Sequence, residues 1–359
     1  MNIIFKFFAT KTARIFFLSA SIIILNCNDL TGQDVTEIPI KALDQGFIEL
    51  VNTLEGIDKT DDKQSVDLCV SALKNFSDPY IRYYLIFWEL SFHYANQKQY
   101  DKCLEILKKG QDEGLFYFIR NDEHTFPPYL KELEKLDGYE SFLEQNQTLK
   151  EAVNKVTQTE YMIQVPDNYH ESNEYPLFLV MHGGIGSIPD LQYYYNSPKL
   201  KNEFIIAFFQ GSDIEGTYSR RFSRDWQERI KKGFEQIILK YPVDAENIIL
   251  AGPSAGGYGS IVLGMNNIIP SKGLLLSFPV TPGYLDSTAY IQSAERGLKV
   301  AQICGENDWA IKQQKELGFK LDKYGINNRF VVFPDKGHEF PDNWPYHLDT
   351  SIEFILKEN

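Results

Sequence analysis

The segment Asn247-Ile248-Ile249-Leu250-Ala251-Gly252-Pro253-Ser254-Ala255-Gly256-Gly257-Tyr258-Gly259 constrains this chain more than any other. A short apolar strand runs into G-x-S-x-G and then into a glycine-rich stretch able to start a helix, which is the sequence form of a nucleophile elbow. Such a turn needs small residues on both sides of the serine, because a side chain there would meet the crossing strand and helix; Gly252 and Gly256 supply them. The Ser254 hydroxyl is then expected to stand clear of the sheet over a helix N-terminus, where free backbone N–H groups stabilise an oxyanion. G-x-S-x-G on its own occurs by chance, and a glycine-rich turn with an inert serine is the competing reading. The apolar run before it and the helix-compatible run after it favour the elbow.

Other strands fall where such a site needs them. Tyr175–Met181 is a continuous apolar run, as expected of a buried parallel strand, and ends in His182-Gly183-Gly184-Ile185-Gly186. Leu298–Cys304 leads into Gly305-Glu306-Asn307-Asp308, and Arg329–Pro334 into Asp335-Lys336-Gly337-His338-Glu339-Phe340. Ser, Asp and His therefore each stand just past the C-terminal end of a strand, the edge at which open α/β sheets build their sites. Serine needs an adjacent base at neutral pH. Of the six histidines, His93 reads as helix packing and His124 and His170 as polar-loop residues. His182 reads as orienting its own loop, and His347 lies in a final helix. Only His338 follows a buried strand through a glycine-containing turn late in the chain. The imidazole needs a carboxylate to fix its tautomer; Asp308 is the better placed, with Glu306 its rival facing solvent.

From about Glu160 to the C-terminus the chain resembles the α/β-hydrolase superfamily. The likeness is to secreted serine esterases of the polyhydroxybutyrate-depolymerase and feruloyl-esterase type, and to the phospholipase/carboxylesterase group. It rests on Tyr161–Pro166 with Tyr169, on Tyr175-Pro176 and the His-Gly-Gly strand, on Ile205–Ser212, and on Lys240–Asp244 ahead of the elbow. The resemblance implies an α/β fold, a mostly parallel sheet flanked by helices. It implies Ser254 as nucleophile, Asp308 as acid and His338 as general base, with no cofactor and no metal. The oxyanion hole is expected from the backbone N–H groups of Ala255 and Gly184, with Ile185 as the alternative to Gly184. Pro253 departs from the pattern, since a larger or more flexible residue is common before the serine.

Tyr193-Tyr194-Tyr195 follows the His-Gly-Gly loop. Tyr193 and Tyr194, with Tyr258 of the elbow helix, are candidate substrate-binding residues; plain loop packing is the alternative for the tyrosine run. Only about twenty residues separate the Gly273–Phe278 strand from the acid strand, too few for a large helical lid. The net charge of −13 argues against nucleic-acid binding and against a folded body that adheres to anionic membranes. No C-x-x-C or His/Cys cluster points to a metal, and Cys69, Cys103 and Cys304 imply no full disulfide framework.

At the N-terminus, Lys6, Lys11 and Arg14 precede an apolar run from Ile15 to Leu25, the pattern of a signal peptide. Cys27 directly after it resembles a bacterial lipobox, although Asn26 replaces the usual small residue; an ordinary secretory signal that carries a cysteine, leaving the protein secreted, is the alternative. The expected organisation is a signal over 1–27, a linker over 28–37, a helical domain over 38–150 and the hydrolase over 151–359. The helical part, read from about Glu37 with no strand signals, pairs a helix over Tyr84–Ala95 with one over Tyr100–Gly110 across Asn96–Gln99. Leu90, Ser91, Tyr94, Tyr100, Cys103 and Leu107 resemble a tetratricopeptide unit, and Asp112–Leu149 a degenerate one broken at Pro127-Pro128; a short helical domain packed on the hydrolase is the alternative reading. The expectation is thus an envelope-anchored serine esterase acting on small or polymer-borne esters, with membrane contact only through a lipid and a possible protein partner on the helical region. The alternatives are a peptidase or other acyl hydrolase of the same fold, or a non-catalytic envelope scaffold.

Overall fold

The computed structural model describes residues 35–58, 61–122, 125–153 and 158–358. The signal segment, Cys27 and His124 lie outside the described residues. The chain enters the described part as a four-residue strand, β1 (Val35–Ile38), and then forms a helical layer. The layer comprises α1 (Gln45–Glu55), α2 (Asp62–Ala72), a long run from Pro79 to Asn96, α5 (Tyr100–Asp112), α6 (Leu130–Leu133) and α7 (Tyr139–Val153). The long run is α3 (Pro79–Tyr83), a π-helical stretch over Tyr84–Leu90, and α4 (Ser91–Asn96). Asp78 starts it by accepting from the N–H groups of Tyr80 at 2.9 Å and Ile81 at 3.2 Å, with Pro79 at the first helical position. Leu90, Ser91, Cys103 and Leu107 lie buried where the run packs on α5, as the helix-pair reading expects.

The remaining chain alternates strands and helices. In order these are β2 (Thr159–Gln164), β3 (Tyr175–Met181), α8 (Ile188–Tyr194), α9 (Pro198–Glu203), β4 (Ile205–Gln210), β5 (Asp213–Gly216), β6 (Ser219–Arg221) and α10 (Trp226–Lys240). Then follow β7 (Val243–Pro253), α11 (Ala255–Met265), β8 (Gly273–Ser277), α12 (Ser287–Glu295), β9 (Lys299–Gly305), α13 (Ile311–Lys323), β10 (Asn327–Phe333) and α14 (Trp344–Leu356). Eight strands form one sheet in the order β1-β2-β4-β3-β7-β8-β9-β10, parallel throughout except for the β2–β4 pair. This is the α/β-hydrolase fold.

Both faces of the sheet are covered, which is why its central strands are apolar without alternation. Leu177, Leu179, Leu250 and Leu276 point into one core with α10, α11 and α13 residues, whereas Phe178, Val180, Ile249 and Leu275 point into the other with α8 and α14 residues. The helical layer has its own aromatic core around Tyr83, Phe87, Tyr117 and Phe142. It is bonded to the sheet part by Tyr80 Oη to Asp190 at 2.8 Å, by Tyr83 Oη with Ser219 Oγ at 2.8 Å, and by the Phe116 N–H to Thr217 Oγ1 at 2.8 Å.

Three details differ from the sequence reading. The stretch expected to hold a linker and then only helices begins with β1, which pairs in register with β2 and closes the edge of the sheet. Its sequence, Val-Thr-Glu-Ile, does not alternate apolar and polar residues and so shows no two-residue period. The last helix of the layer, α7, crosses the domain boundary expected at 150 and ends at Val153. His93, read as apolar packing, is instead an ion-pair residue: Nδ1 lies 2.7 Å from Asp62 and Nε2 3.2 Å from Glu89 one turn earlier. Those bonds, Glu89's foremost, raise its pKa. Among the described residues no helix is long and apolar enough to cross a membrane, and the thiols of Cys69, Cys103 and Cys304 are free and buried.

Candidate active site

Ser254 is the single residue between β7 and α11, and its backbone sits at φ 51°, ψ −115°. A non-glycine residue held there stores about 1–3 kcal/mol of strain. Three backbone bonds hold it: its N–H donates to Ser277 O at 3.0 Å, and its carbonyl accepts from Tyr258 N at 3.1 Å and Val280 N at 3.0 Å. The flanking glycines are sterically required. A Cβ on Gly252 would lie 2.6 Å from Met181 O, and one on Gly256 2.0 Å from the same oxygen.

His338 reaches this serine from the loop after β10. Its Nε2 lies 2.8 Å from Ser254 Oγ, and its Nδ1 lies 3.0 Å from each carboxylate oxygen of Asp308. An ionised carboxylate only accepts, so the proton sits on Nδ1 and the Nε2 lone pair faces the serine hydroxyl. Asp308 is sealed from solvent while a quarter of the His338 side chain is exposed. Two more donors fix the carboxylate: the Ala310 N–H reaches Oδ1 at 2.8 Å, and Gln314 Nε2 reaches Oδ2 at 2.8 Å. The Gln314 amide also bonds Pro279 O at 3.1 Å and is fully buried. Glu306 is exposed.

His182 is a different kind of residue. It is buried, its Nδ1 donates to Gly183 O at 2.6 Å, and its Nε2 accepts from the Gly211 N–H at 3.0 Å. Its ring stacks on Phe222 with centroids 4.4 Å apart. Burial pulls its pKa down to about 4, the Gly183 carbonyl opposes this, and Arg220 adds to it. A neutral imidazole with both nitrogens engaged offers no base; it pins the loop that carries Gly183 and Gly184 beside the serine. A Cβ on Gly183 would lie 3.7 Å from Ser254 Cβ, whereas Gly184 faces open space.

Two cavities share Gly183 of that loop in their walls. The first, about 200 Å³, is lined by Gly183, Gly184, Ala255, Tyr258, Phe222 and Trp226, with Arg221 among its other residues. It thus holds both residues expected to donate to the oxyanion, together with Tyr258. The second, about 260 Å³, is lined by Gly183, Pro253, Tyr194, Phe278, Phe340, Tyr84 and Trp88 among others. Tyr193, expected to line a substrate subsite beside Tyr194, turns instead to the helical layer, where its hydroxyl bonds Asn52 at 2.9 Å and Glu55 at 3.2 Å. Consecutive residues of a helix point in different directions, which the sequence run alone does not resolve. A separate cavity of about 400 Å³, lined by Ile38, Lys41, Tyr80, Met162 and Arg220 among others, includes none of Ser254, Asp308 and His338.

Several residues at the site were not legible beforehand. Phe278, at φ 37°, places its ring 4.8 Å from that of His338. Trp309, exposed, lies 5.1 Å from the same ring on a tilted approach. Its position next to the candidate acid was the one available signal. Gln314, Tyr84 and Trp88 gave none, because only the folded chain brings them here.

No family model matches the sequence, and no curated protein matches it. Solved structures resemble it at low identity. An uncharacterized protein from Bacillus cereus ATCC 10987 is 17% identical, covering 86% of this chain and 98% of that one, with a TM-score of 0.47. The Bacillus cereus carboxylesterase is 18% identical over 57% of this chain and 97% of that one, TM-score 0.44. A phospholipase/carboxylesterase from Dyadobacter fermentans DSM 18053 is 15% identical over 55% and 97%, TM-score 0.44. Likeness at this level assigns no activity, so the chemistry rests on this chain's own residues.

Proposed function

We propose that this protein is a serine hydrolase that cleaves carboxylic esters through an acyl-enzyme. The observation that carries the proposal is the unbroken chain from Ser254 Oγ through the His338 ring to the buried Asp308 carboxylate, with links of 2.8 and 3.0 Å. Ser254 Oγ attacks the ester carbonyl as His338 Nε2 takes its proton. Asp308 stabilises the imidazolium. The tetrahedral oxyanion faces the N–H groups of Ala255 and Gly184, and at the helix N-terminus these are worth several kcal/mol in the transition state. His338 then returns the proton to the departing alcohol, and water repeats the sequence to release the acid.

The test is hydrolysis of p-nitrophenyl acetate and butyrate beside Ser254→Ala and His338→Ala. Turnover by the wild type and a loss of about 10³-fold or more in each variant supports the reading. A folded wild type that turns over neither ester, nor a peptide ester, removes it and leaves the scaffold alternative.

The remaining proposals concern setting. A tetratricopeptide-like helical domain over 38–150, available to a protein partner, would precede the catalytic domain over 151–359, and Cys27 would carry a lipid anchoring the protein in a bacterial cell envelope. Incorporation of labelled palmitate, lost in Cys27→Ser along with the membrane-bound fraction, is the expected result for the anchor. Neither a cofactor nor nucleic acid has a role in this scheme.

A further inference from the structure

We infer that the helical layer supplies the leaving-group pocket of the hydrolase, and that Trp88 and Tyr84 make it selective for esters of alcohols that carry an aromatic ring. This inference rests on the esterase reading above and names the substrate class of the same site.

The cavity that holds Tyr84 and Trp88 reaches Pro253 and Gly183, so it begins beside the reacting serine. Its wall joins distant parts of the chain. Tyr84 and Trp88 come from the π-helical stretch Tyr84–Leu90, Tyr194 from α8, Phe278 from the turn after β8 and Phe340 from the histidine loop. Tyr194 and Phe340 stack with centroids 4.0 Å apart, and Phe340 meets Phe278 edge-on at 4.9 Å. A π-helical turn within an α-helical run widens the helix locally and is frequent at functional sites.

Its position relative to His338 assigns the cavity to the alcohol. The leaving oxygen must receive its proton from His338, and Phe278, which lines this cavity, sits 4.8 Å from that ring. The other cavity is built around Ala255 and Gly184, the two residues assigned to the oxyanion, and extends past Tyr258 and Trp226; it is left for the acyl chain.

A ring fits this wall better than a sugar. Sugars also stack on aromatic faces, but their hydroxyls need partners, and the Asp190 carboxylate and the His182 ring on this wall are already bonded within the protein. Asp190 accepts from Ser187 N at 2.8 Å, Ser187 Oγ at 2.7 Å and Tyr80 Oη at 2.8 Å. Both His182 nitrogens are bonded. At about 260 Å³ the space exceeds the ~150 Å³ of a cavity that takes up benzene.

Benzyl acetate and ethyl acetate share an acyl group and have leaving alcohols of similar acidity, so their kcat/KM ratio reads the pocket rather than the chemistry. The full-length protein is expected to prefer benzyl acetate by about tenfold or more. Trp88→Leu and Tyr84→Leu should each cut that ratio several-fold and leave the butyrate-to-acetate ratio of p-nitrophenyl esters unchanged. Trp226→Leu in the other cavity should do the reverse. Equal rates on the two acetates by wild type, or variants at 84 and 88 that move the acyl ratio instead, overturn the inference while leaving the esterase reading intact. A wild type that hydrolyses no ester and is not labelled by a fluorophosphonate removes the esterase reading and this inference with it. The fluorophosphonate labelling rate of each variant verifies that Ser254 is still assembled, so a change of ratio is not mistaken for unfolding.

Discussion

His182 and His338 both stand just beyond strand ends, after β3 and β10, on the same edge of the sheet and close to Ser254. One is sealed, its two nitrogens committed to backbone groups; the other is partly open, its nitrogens joining a carboxylate to a hydroxyl. The same side chain is thus a strut in one place and, in the proposed mechanism, a proton carrier in the other. What separates them is burial together with the identity of the partners. Backbone partners in a dry setting fix the neutral His182 ring, whereas the His338 ring lies between a buried carboxylate and the Ser254 hydroxyl.

The sharpest way to break this contrast is to remove each ring. His338→Ala is expected to lower kcat/KM on p-nitrophenyl acetate by about 10⁴-fold or more, with a thermal midpoint within a few degrees of wild type. A large loss of stability in that variant would make His338 a strut as well. His182→Ala is expected to destabilise the protein by about 3 kcal/mol in urea, because it orphans the Gly183 carbonyl and the Gly211 N–H and opens a space under Phe222.

A pH titration sharpens the contrast further. An unfolded histidine titrates near 6.5, and folded His182 near 4. Between these values the unfolded chain binds the extra proton, so stability falls as pH drops from about 6.5 toward 4, by up to ~3 kcal/mol. His182→Gln should flatten that part of the stability curve; an unchanged slope would assign the dependence to other groups. The smallest expected effect lies behind His338. Gln314→Leu removes one of the donors to Asp308 and should lower kcat by about tenfold, and Gln314→Glu, which adds a carboxyl beside Asp308, should shift the pH–rate profile as well. A purely structural glutamine would leave that profile where it was.

Much of the candidate site's edge was legible because its information is local. The elbow is an apolar run, a turn with two obligatory glycines and a helix start, all within thirteen residues, Asn247–Gly259. The loops carrying Asp308 and His338 each follow an apolar strand directly, and the structure brings both to Ser254. What stayed hidden depends on tertiary placement. Nothing in Tyr84–Leu90 indicates that two of its aromatic residues line a cavity reaching Gly183 and Pro253 far along the chain, since they read as helix packing. β1 lacks the alternation that marks a strand, and Tyr193 and Tyr194 differ in direction only once α8 is docked. His93 is the exception, since Glu89 stands four residues before it, a spacing that places the two on one helix face.

The central claim is that Ser254 is an activated nucleophile. Its most direct test is covalent labelling by a fluorophosphonate, read by intact mass and by peptide mapping, on wild type, Ser254→Ala and His338→Ala. The account predicts one adduct per chain on Ser254, none in Ser254→Ala, and labelling slowed by orders of magnitude in His338→Ala. A folded wild type that takes up no label, or that carries it on another residue, would contradict it.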